Sequence, residues 1–152
     1  MIGDSLYQSN KQDWSTPRWL FDLLNNEFNF DLDVCADNEN KKVDRFYSIE
    51  DSAFEHHWVG TCWMNPPYGR GISEWMAKAW RSALVPPTKV VCLLPVRSDT
   101  KWWHNYAMES SEIRFLNKRL SFGGSSNKAP FPSAIIVFSG RSSPVISSFL
   151  CP

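Results

Sequence analysis

Hydrophobic residues recur along this chain with two different spacings, which divide it into predicted helices and predicted strands. Helical spacing marks three segments, at residues 18–27, 72–84 and 100–108. Short apolar or alternating runs, typical of strands, mark residues 30–36, 45–48, 61–64, 89–94, 112–116, 120–122 and 133–138. Helices alternate with strands as far as residue 108, and strands then follow one another. This order predicts an α/β fold whose sheet is mainly parallel and ends in an antiparallel strand or hairpin.

Two of the predicted helices begin with capping signals. Pro17 follows two hydroxyl residues, so we expect a hydroxyl N-cap with Pro17 at the first helical position. Asp99 stands before the third helical segment as its predicted N-cap. Residues 89–94 are the clearest strand, because a continuous β-branched run is expected where both faces of a sheet are buried.

The predicted elements form one domain. With 152 residues the chain is long enough for a single hydrophobic core. We expect residues 1–13 to be a flexible N-terminal segment, residues 14–140 to form the domain, and residues 141–152 to be a tail rich in Ser and Pro. The sequence shows no internal repeat.

Charge and aromatic content limit the kinds of partner. Lys and Arg number 16, as do Asp and Glu, so the formal net charge is +0 and no basic field covers the whole surface. Binding of a nucleic acid would therefore need a local patch. Basic residues of the second half either form such a patch or are ordinary solvated charges; they are Arg97, Lys101, Arg114, Lys118, Arg119 and Lys128. Aromatic residues make up 14% of the chain, and they build either core or flat binding surfaces.

The cysteines and histidines indicate neither a disulfide framework nor a metal site. The four Cys form no Cys-x-x-Cys pair and three of them lie in apolar runs, which indicates a reducing, cytosolic compartment. His56 and His57 are adjacent, and neighbouring side chains point apart, so we expect no metal. No apolar run reaches membrane-spanning length and the N-terminus lacks a signal-peptide core, so we expect no membrane association.

The stretch with the most chemistry is Asn65-Pro66-Pro67-Tyr68, which directly follows the predicted strand 61–64. In open α/β sheets, ligands bind at the carboxyl ends of the strands. Asn65 offers an acceptor and a donor, while the prolines fix the backbone and remove competing N–H groups. Two acceptors beside the flat ring of Tyr68 suit a planar NH2 group such as adenine N6. Four such residues also occur as a Pro-Pro loop that merely packs a Tyr.

Together with five other stretches, this motif resembles the phage-type DNA N6-adenine methyltransferases of the Dam family. The stretches read STPRWLFD (15–22), LDVCA (32–36), WMNPPYGR (63–70), LLPVR (93–97), WWH (102–104) and APFPSA (129–134). The resemblance implies a single-domain, Rossmann-like fold that depends on S-adenosylmethionine, trimmed relative to larger members and with an antiparallel C-terminal strand. It also implies DNA as the partner and a cytoplasmic location in a bacterial host, with a phage or prophage origin.

The same resemblance implies roles for individual residues. Asn65 and the carbonyl of Pro66 would accept hydrogen bonds from the target N6 amine, with Pro67 completing the motif and Tyr68 stacking on the base. The residues implied for S-adenosyl-L-methionine are Trp14, Thr16, Pro17, Asp33, Cys35, Ala36 and Asp51, with Asp37 as an alternative to Asp51. Phe131 would be a second aromatic wall of the base pocket. The candidates for DNA phosphate contacts are Arg70, Arg97 and Arg119.

The chemistry agrees with these roles. An exocyclic adenine NH2 is a poor nucleophile because its lone pair is delocalised into the ring. Two acceptors would draw it toward tetrahedral geometry and aim the lone pair at a methyl donor, for direct displacement without a covalent enzyme intermediate or a metal. Positioning of this kind supplies about 7–11 kcal/mol in favourable cases. The base must first leave the duplex, and an aromatic pocket offsets part of the unstacking cost.

Two features depart from the pattern of larger methyltransferases. The first predicted strand ends after Asp33 without a Gly-x-Gly loop, and the interval from Asp33 to Asn65 is short. Two other functions therefore stay open. One is a methyltransferase for a glutamine amide in a protein, since that NH2 suits the same acceptors, and the other is a non-catalytic DNA-binding remnant of the fold. Sequence recognition would fall to loops, chiefly residues 123–130 and the segment after Arg97, while the recognised site and the oligomeric state do not follow from the sequence.

Overall fold

The computed structural model describes residues 15–48, 50–122 and 127–152. The predicted flexible segment 1–13, Trp14, residue 49 and residues 123–126 of the predicted recognition loop lie outside this part of the chain. The described residues form a mixed α/β domain in which α-helices pack on one six-stranded sheet.

The strands confirm that the sheet is mainly parallel, but the antiparallel strand does not lie where it was predicted. They are β1 (Leu32–Asp33), β2 (Thr61–Met64), β3 (Lys89–Pro95), β4 (Glu112–Leu116), β5 (Ser133–Phe138) and β6 (Val145–Phe149). They lie side by side as β1-β2-β3-β5-β4-β6. Neighbouring strands are parallel except that β5 is antiparallel to both β3 and β4. The antiparallel strand therefore lies inside the sheet and not at its end, where its continuously buried run is covered on both faces.

The common direction of the other five strands fixes where loops meet. The segments that follow β1, β2, β3 and β4 leave the sheet at one edge, and the segment that precedes antiparallel β5 enters at the same edge. We call this the carboxyl edge. Because the predicted Asn65-Pro66-Pro67-Tyr68 motif directly follows β2, it lies at the carboxyl edge.

Two of the helices confirm the predicted segments, and the third helix is shorter than predicted. They are α1 (Arg18–Phe28), α2 (Ile72–Ala83) and α3 (Lys101–Asn105), with 3-10 turns at Ala53–Glu55 and Ala107–Glu109. The first two match the predicted segments to within one residue at each end. The third ends early because the backbone of Tyr106 leaves the helical region, with φ −125°.

Both predicted helix caps are wrong. Thr100, not Asp99, caps α3, since its hydroxyl accepts the N–H of Trp103 at 3.4 Å. Pro17 is itself the N-cap of α1 and makes no side-chain cap bond, while its carbonyl accepts from Leu20 and Phe21.

Helices cover both faces of the sheet. Side chains alternate along a strand, so neighbouring Arg114 and Phe115 of β4 point to opposite faces. Arg114 reaches Glu27 of α1, whereas Phe115 stacks on Trp103 of α3 with 6.4 Å between ring centroids. Helix α2 contacts α3 and β3, which places it on the face of α3. Much of the aromatic content is core: Trp63 and Trp75 are both almost completely buried.

Three short segments differ from their predicted form. β1 covers two residues instead of 30–36, and the predicted strand 45–48 is reduced to a single bridge between Asp33 and Phe46. Residues 120–122 form no strand, although Leu120 and Phe122 point inward. The predicted tail 141–152 contributes β6 to the sheet.

Gly60 sets the start of β2. Its φ of +89° is a left-handed conformation, and a Cβ there would lie 2.5 Å from the carboxylate of Asp31. That carboxylate accepts the N–H of Thr61 at 2.8 Å, and the N–H of Asp31 donates to the Thr61 carbonyl at 2.8 Å. The glycine thus lets the segment before β1 pair closely with β2 and fixes the strand that ends at Asn65.

Candidate active site

Asn65 leaves the carboxyl end of β2 with its side-chain amide held at both ends. Its Nδ2 donates to Thr16 Oγ1 at 3.0 Å, and its Oδ1 accepts from the Tyr68 hydroxyl at 2.8 Å. The Tyr68 hydroxyl also lies 3.0 Å from the Leu93 carbonyl of β3, so its proton is shared between two acceptors. The amide therefore has a defined orientation, with a donor at its nitrogen and an acceptor at its oxygen.

Thr16 brings the start of α1 to the Asn65-Pro66-Pro67-Tyr68 motif. The residue is buried, at 5% exposure, and its hydroxyl is the partner of Asn65. Pro17 follows it at the helix N-cap and is half-buried. Of the residues predicted for the cofactor, Thr16 thus contacts Asn65, the residue predicted to bind the target amine.

Tyr68 is part of a buried aromatic cluster. Its ring is 7% exposed and meets Phe131 edge-on at 5.7 Å and Phe122 edge-on at 6.3 Å, with Phe122 and Phe131 6.0 Å apart. Burial raises the pKa of Tyr68 well above its usual range, and the nearby charge of Arg97 opposes the rise only in part. The phenol is therefore a neutral donor, and the ring of Phe131 lies beside it.

The prolines connect the motif to α2. Pro66 is buried and Pro67 half-buried. The chain then turns, with the Gly69 carbonyl accepting the N–H of Ile72 at 3.2 Å, and α2 begins. Arg70 is exposed on this turn.

Asp33 ends β1 as a buried carboxyl group. It is 2% exposed, and its two oxygens accept the backbone N–H groups of Cys35 at 3.2 Å and Lys42 at 3.1 Å. Burial raises the pKa of Asp33 to about 7, against the two backbone donors, which lower it. Its contacts shape the loop after β1.

That loop closes on itself without glycine. The N–H of Ala36 donates to the Tyr47 carbonyl at 3.0 Å, and the N–H of Tyr47 donates to the Asp33 carbonyl at 2.9 Å. Cys35 is half-buried, and burial raises the pKa of its thiol. Hydrogen bonds that involve Asp33 and Tyr47 thus stabilise the turn of this loop, whereas a Gly-x-Gly loop would turn through the backbone freedom of its glycines.

Asp51 occupies an exposed position beside this loop. Its carboxylate pairs with the His56 ring at 2.5 Å, and that ring stacks on Tyr47 with 4.6 Å between centroids. The contacts link Asp51 to the β1 loop through Tyr47, and they do not link it to Asn65.

The predicted DNA-contacting arginines all follow strands at the carboxyl edge. Arg70 follows β2, Arg97 follows β3 and Arg119 follows β4. Arg70 and Arg119 are exposed and Arg97 is half-buried. Arg114 does not belong with them, because its guanidinium binds both oxygens of Glu27, at 2.7 and 2.6 Å, and Glu112 at 2.8 Å.

Sequence reasoning missed Phe122 and the Leu93 carbonyl. A signal existed for Phe122, since the apolar-polar-apolar pattern of residues 120–122 predicts that its ring points inward, whatever the backbone does. No side-chain pattern marks the Leu93 carbonyl, because it is a backbone acceptor that is exposed to Tyr68 only by the packing of β2 against β3.

The opposite edge of the sheet carries a separate cleft of about 470 Å³. Its lining includes Val59, Lys78, Arg81, Val85 and Thr88, and none of its residues is a predicted site residue. Across the described ranges, no three His, Cys, Asp or Glu side chains are grouped so that they could hold a metal ion. Within those same ranges, each helix is too short or too polar to cross a membrane.

Comparison with known proteins gives matches along most of the chain. The family described as DNA N-6-adenine-methyltransferase (Dam) matches residues 3–141. A DNA N-6-adenine-methyltransferase of Haemophilus phage HP1 (strain HP1c1) is 35% identical over 126 residues, which are 80% of this chain and 72% of that protein. A DNA N-6-adenine-methyltransferase of Escherichia phage T1 is 30% identical over 111 residues, which are 71% of this chain and 46% of that protein.

Proposed function

We propose that this chain, which belongs to the DNA N-6-adenine-methyltransferase (Dam) family, transfers a methyl group from S-adenosyl-L-methionine to the N6 amine of adenine in DNA. The family match covers residues 3–141 and so includes every candidate site residue. The enzyme class, an adenine-N6-specific DNA methyltransferase, follows from that membership. The donor, the extrusion of the base and the roles of single residues are our proposals.

The observation that carries the proposal is the oriented amide of Asn65. Thr16 fixes its nitrogen and Tyr68 fixes its oxygen, at 3.0 and 2.8 Å, so the carbonyl oxygen of the amide has one orientation. An adenine N6 amine that donates there, and to the Pro66 carbonyl, would be held with its own lone pair directed away from both acceptors. Because the amide is oriented before the substrate arrives, no reorganisation is needed at the moment of reaction.

The aromatic cluster supports an extruded base. Tyr68 is too deeply buried to offer a broad face, whereas Phe131 is half-buried at the carboxyl edge. We assign the stacking surface mainly to Phe131 and give Tyr68 two roles, as the edge of the pocket and as the orienting donor to Asn65. Stacking on this surface offsets part of the cost of unpairing the base.

Two parts of the candidate site fit S-adenosyl-L-methionine by their chemistry. Asp51 presents an exposed carboxylate suited to ribose hydroxyls, and Thr16-Pro17 borders Asn65, where a methyl donor must lie. Asp33 shapes the loop that holds Cys35, because its two oxygens accept the backbone N–H groups of Cys35 and Lys42. When bound, the cofactor would supply an electrophilic sulfonium methyl group with a thioether as its leaving group, and the proton lost by N6 would pass to solvent.

Product analysis tests the proposal. The protein is incubated with methyl-labelled S-adenosyl-L-methionine and unmethylated duplex DNA, and the DNA is digested to nucleosides. We expect the label in N6-methyldeoxyadenosine, and no further uptake by DNA that was first saturated with unlabelled donor. Label recovered in protein would contradict the proposal in favour of glutamine-amide transfer. The absence of heat on calorimetric titration with the donor would contradict it in favour of a non-catalytic remnant.

A further inference from the structure

The last strand leaves one side of the sheet open. β6 is the terminal strand in the sheet order, and no other strand of the described ranges pairs with its outer side. Residues 145–148 are all exposed, including the apolar Val145 at 67% and Ile146 at 56%. The family match ends at residue 141, so this strand lies outside the part of the chain that defines the family.

Two backbone hydrogen bonds fix which groups of β6 point outward. The N–H of Val145 donates to the Ser111 carbonyl at 3.0 Å, and the carbonyl of Phe149 accepts from Asn117 at 3.1 Å. In a parallel pair, alternate residues direct both of their backbone groups to the same neighbour. The N–H and carbonyl groups of Ile146 and Ser148 therefore point away from β4.

The strand carries none of the devices that protect an edge. Natural edge strands are usually blocked by charged residues, Pro, a bulge or very short length. Residues 145–149 read Val-Ile-Ser-Ser-Phe, with five paired positions and neither charge nor Pro. The opposite edge strand, β1, has only two residues, and Phe46 bridges to it.

The sequence of β6 is complementary to itself. We propose that β6 pairs antiparallel with β6 of a second copy of this chain, about a two-fold axis at Ser147. Ile146 of each copy then lies opposite Ser148 of the other, and each such pair exchanges both of its outward N–H···O bonds. Val145 lies opposite Phe149 of the second copy, which covers an apolar side chain that is now exposed. An isologous interface of this kind closes at two copies.

Pairing through β6 keeps the candidate active sites of the two copies apart. An antiparallel pairing directs the carboxyl edges of the two sheets to opposite sides of the joined sheet. Asn65 of one copy therefore cannot complete the site of the other, and each copy would act on its own segment of DNA. We expect pairing to alter the mass of the protein and its arrangement on DNA, and to leave the methyl-transfer rate per copy unchanged.

Cross-linking tests the register with two neighbouring exposed serines. Ser147 of the two copies forms a non-hydrogen-bonded pair, with Cα atoms about 4.5 Å apart, within the range that a disulfide bridges. In a Cys151→Ser background, we expect Ser147→Cys to form a disulfide-linked dimer on mild oxidation. Ser148→Cys is the matched control and should stay unlinked. In this register, residue 148 of each copy lies opposite Ile146 of the other copy and not opposite the second introduced cysteine. Equal or preferential linking of Ser148→Cys would overturn the proposal.

Mass measurement tests the pairing itself. By light scattering we expect twice 17.5 kDa for the unaltered chain and 17.5 kDa for Ile146→Pro, which removes an outward N–H without removing a bond to β4. An unchanged thermal unfolding curve at low protein concentration checks that Ile146→Pro folds. A mass of 17.5 kDa for the unaltered chain at every concentration would overturn the proposal, as would a dimer that survives Ile146→Pro.

Discussion

Two hydroxyl groups orient the side chain on which the proposed reaction depends. The Asn65 amide has similar ends, and only their partners distinguish them: Thr16 takes the nitrogen and Tyr68 takes the oxygen. The two partners come from different segments, so each end of the amide can be released separately by removing a single hydroxyl.

Removal of the Tyr68 hydroxyl should lower kcat and leave the binding of S-adenosyl-L-methionine largely unchanged. Tyr68→Phe keeps the ring in its cluster and loses the bonds to Asn65 and Leu93. A single net hydrogen bond is worth about 1 kcal/mol, so we expect kcat to fall by about five- to tenfold. The Kd for S-adenosyl-L-methionine, measured by calorimetry, should change little.

Variants of Thr16 test the same orienting role at the nitrogen end of the Asn65 amide. Thr16→Val should lower kcat by a similar factor, and Thr16→Ser, which keeps the hydroxyl, should restore it. If Thr16→Ser is as impaired as Thr16→Val, the methyl group of Thr16 matters rather than its bond to Asn65, and the orienting role is wrong.

Asp33 makes stability depend on pH in a defined window. Burial raises its pKa from the usual 3.8 to about 7, so the folded protein binds the proton more tightly than the unfolded chain does. Relative to the non-titrating Asp33→Asn variant, the wild type should be most stable below about pH 4. That advantage should decline as the pH rises to about 7 and stay constant above it, by about 1.4 kcal/mol for each pKa unit of difference.

Urea unfolding of both proteins from about pH 3.5 to about pH 8, a range that spans the usual and the raised pKa of Asp33, measures this difference. A wild-type advantage that grows with pH would show that the N–H groups of Cys35 and Lys42 stabilise the charged carboxylate more than burial destabilises it.

At the scale of elements, Arg114 ties α1 to β4. It is 15% exposed, binds Glu27 through two parallel hydrogen bonds and lies 5.3 Å from the centre of the Phe28 ring. The contact raises the pKa of Arg114 and lowers the pKa of Glu27, both chiefly through their mutual hydrogen bond. It holds the helix whose first residues position Asn65.

Loss of this contact should destabilise the fold. We expect Arg114→Met to lower the free energy of unfolding by about 1–3 kcal/mol, between the values for exposed and buried ion pairs. Arg114→Lys should recover only part, because an ammonium cannot match the two-oxygen geometry. Arg18→Met, which breaks the exposed pair with Asp22, is the control and should cost less than about 0.5 kcal/mol. Equal losses for Arg18→Met and Arg114→Met in urea unfolding would contradict this role.

Elements that are defined by burial could be predicted from the sequence, and elements that are defined by long-range pairing could not. The strands at residues 61–64, 112–116 and 133–138 have the predicted bounds, because the apolar side chains of each segment are buried in the core or packed against it. β6 has mostly exposed side chains and exists through its bonds to β4, which no local pattern shows. β1 ends early because Asp33 turns the chain by accepting from Cys35 and Lys42.

The candidate site divides in the same way. The chemistry of Asn65 and its neighbours could be predicted from residue types, and the edge on which they lie could be predicted from strand order. The partnership of Thr16 with Asn65 joins residues 49 positions apart and follows only from the packed structure. The roles of Asp33 and Asp51 toward a cofactor stay predictions.

At the scale of the whole molecule, the topology brings loops from distant segments together at the carboxyl edge. The formal net charge of the chain is nevertheless zero. With 16 basic and 16 acidic side chains, attraction to DNA must come from local cations such as Arg70 and Arg119 at the carboxyl edge. We therefore expect DNA binding that is weak and sensitive to salt.

Salt dependence locates the DNA-binding edge. Arg119→Ala should reduce the slope of log Kd against log salt concentration by about one, because one phosphate contact is lost. Arg81→Ala removes an exposed cation at the opposite edge of the sheet and should leave the slope unchanged. Equal changes of slope in the two variants would contradict the assignment of DNA to the carboxyl edge.

The rate of a single methyl transfer in an Asn65 variant tests the central claim most directly. With enzyme in excess over DNA, and donor and DNA saturating, Asn65→Ala should slow the transfer by about 10²–10³-fold, the usual effect of removing one preorganised hydrogen-bonding group. Asn26→Ala, on the exposed side of α1, should transfer at the wild-type rate. A near-normal rate in Asn65→Ala, with donor and DNA binding intact, would contradict the proposal that its oriented amide activates adenine N6.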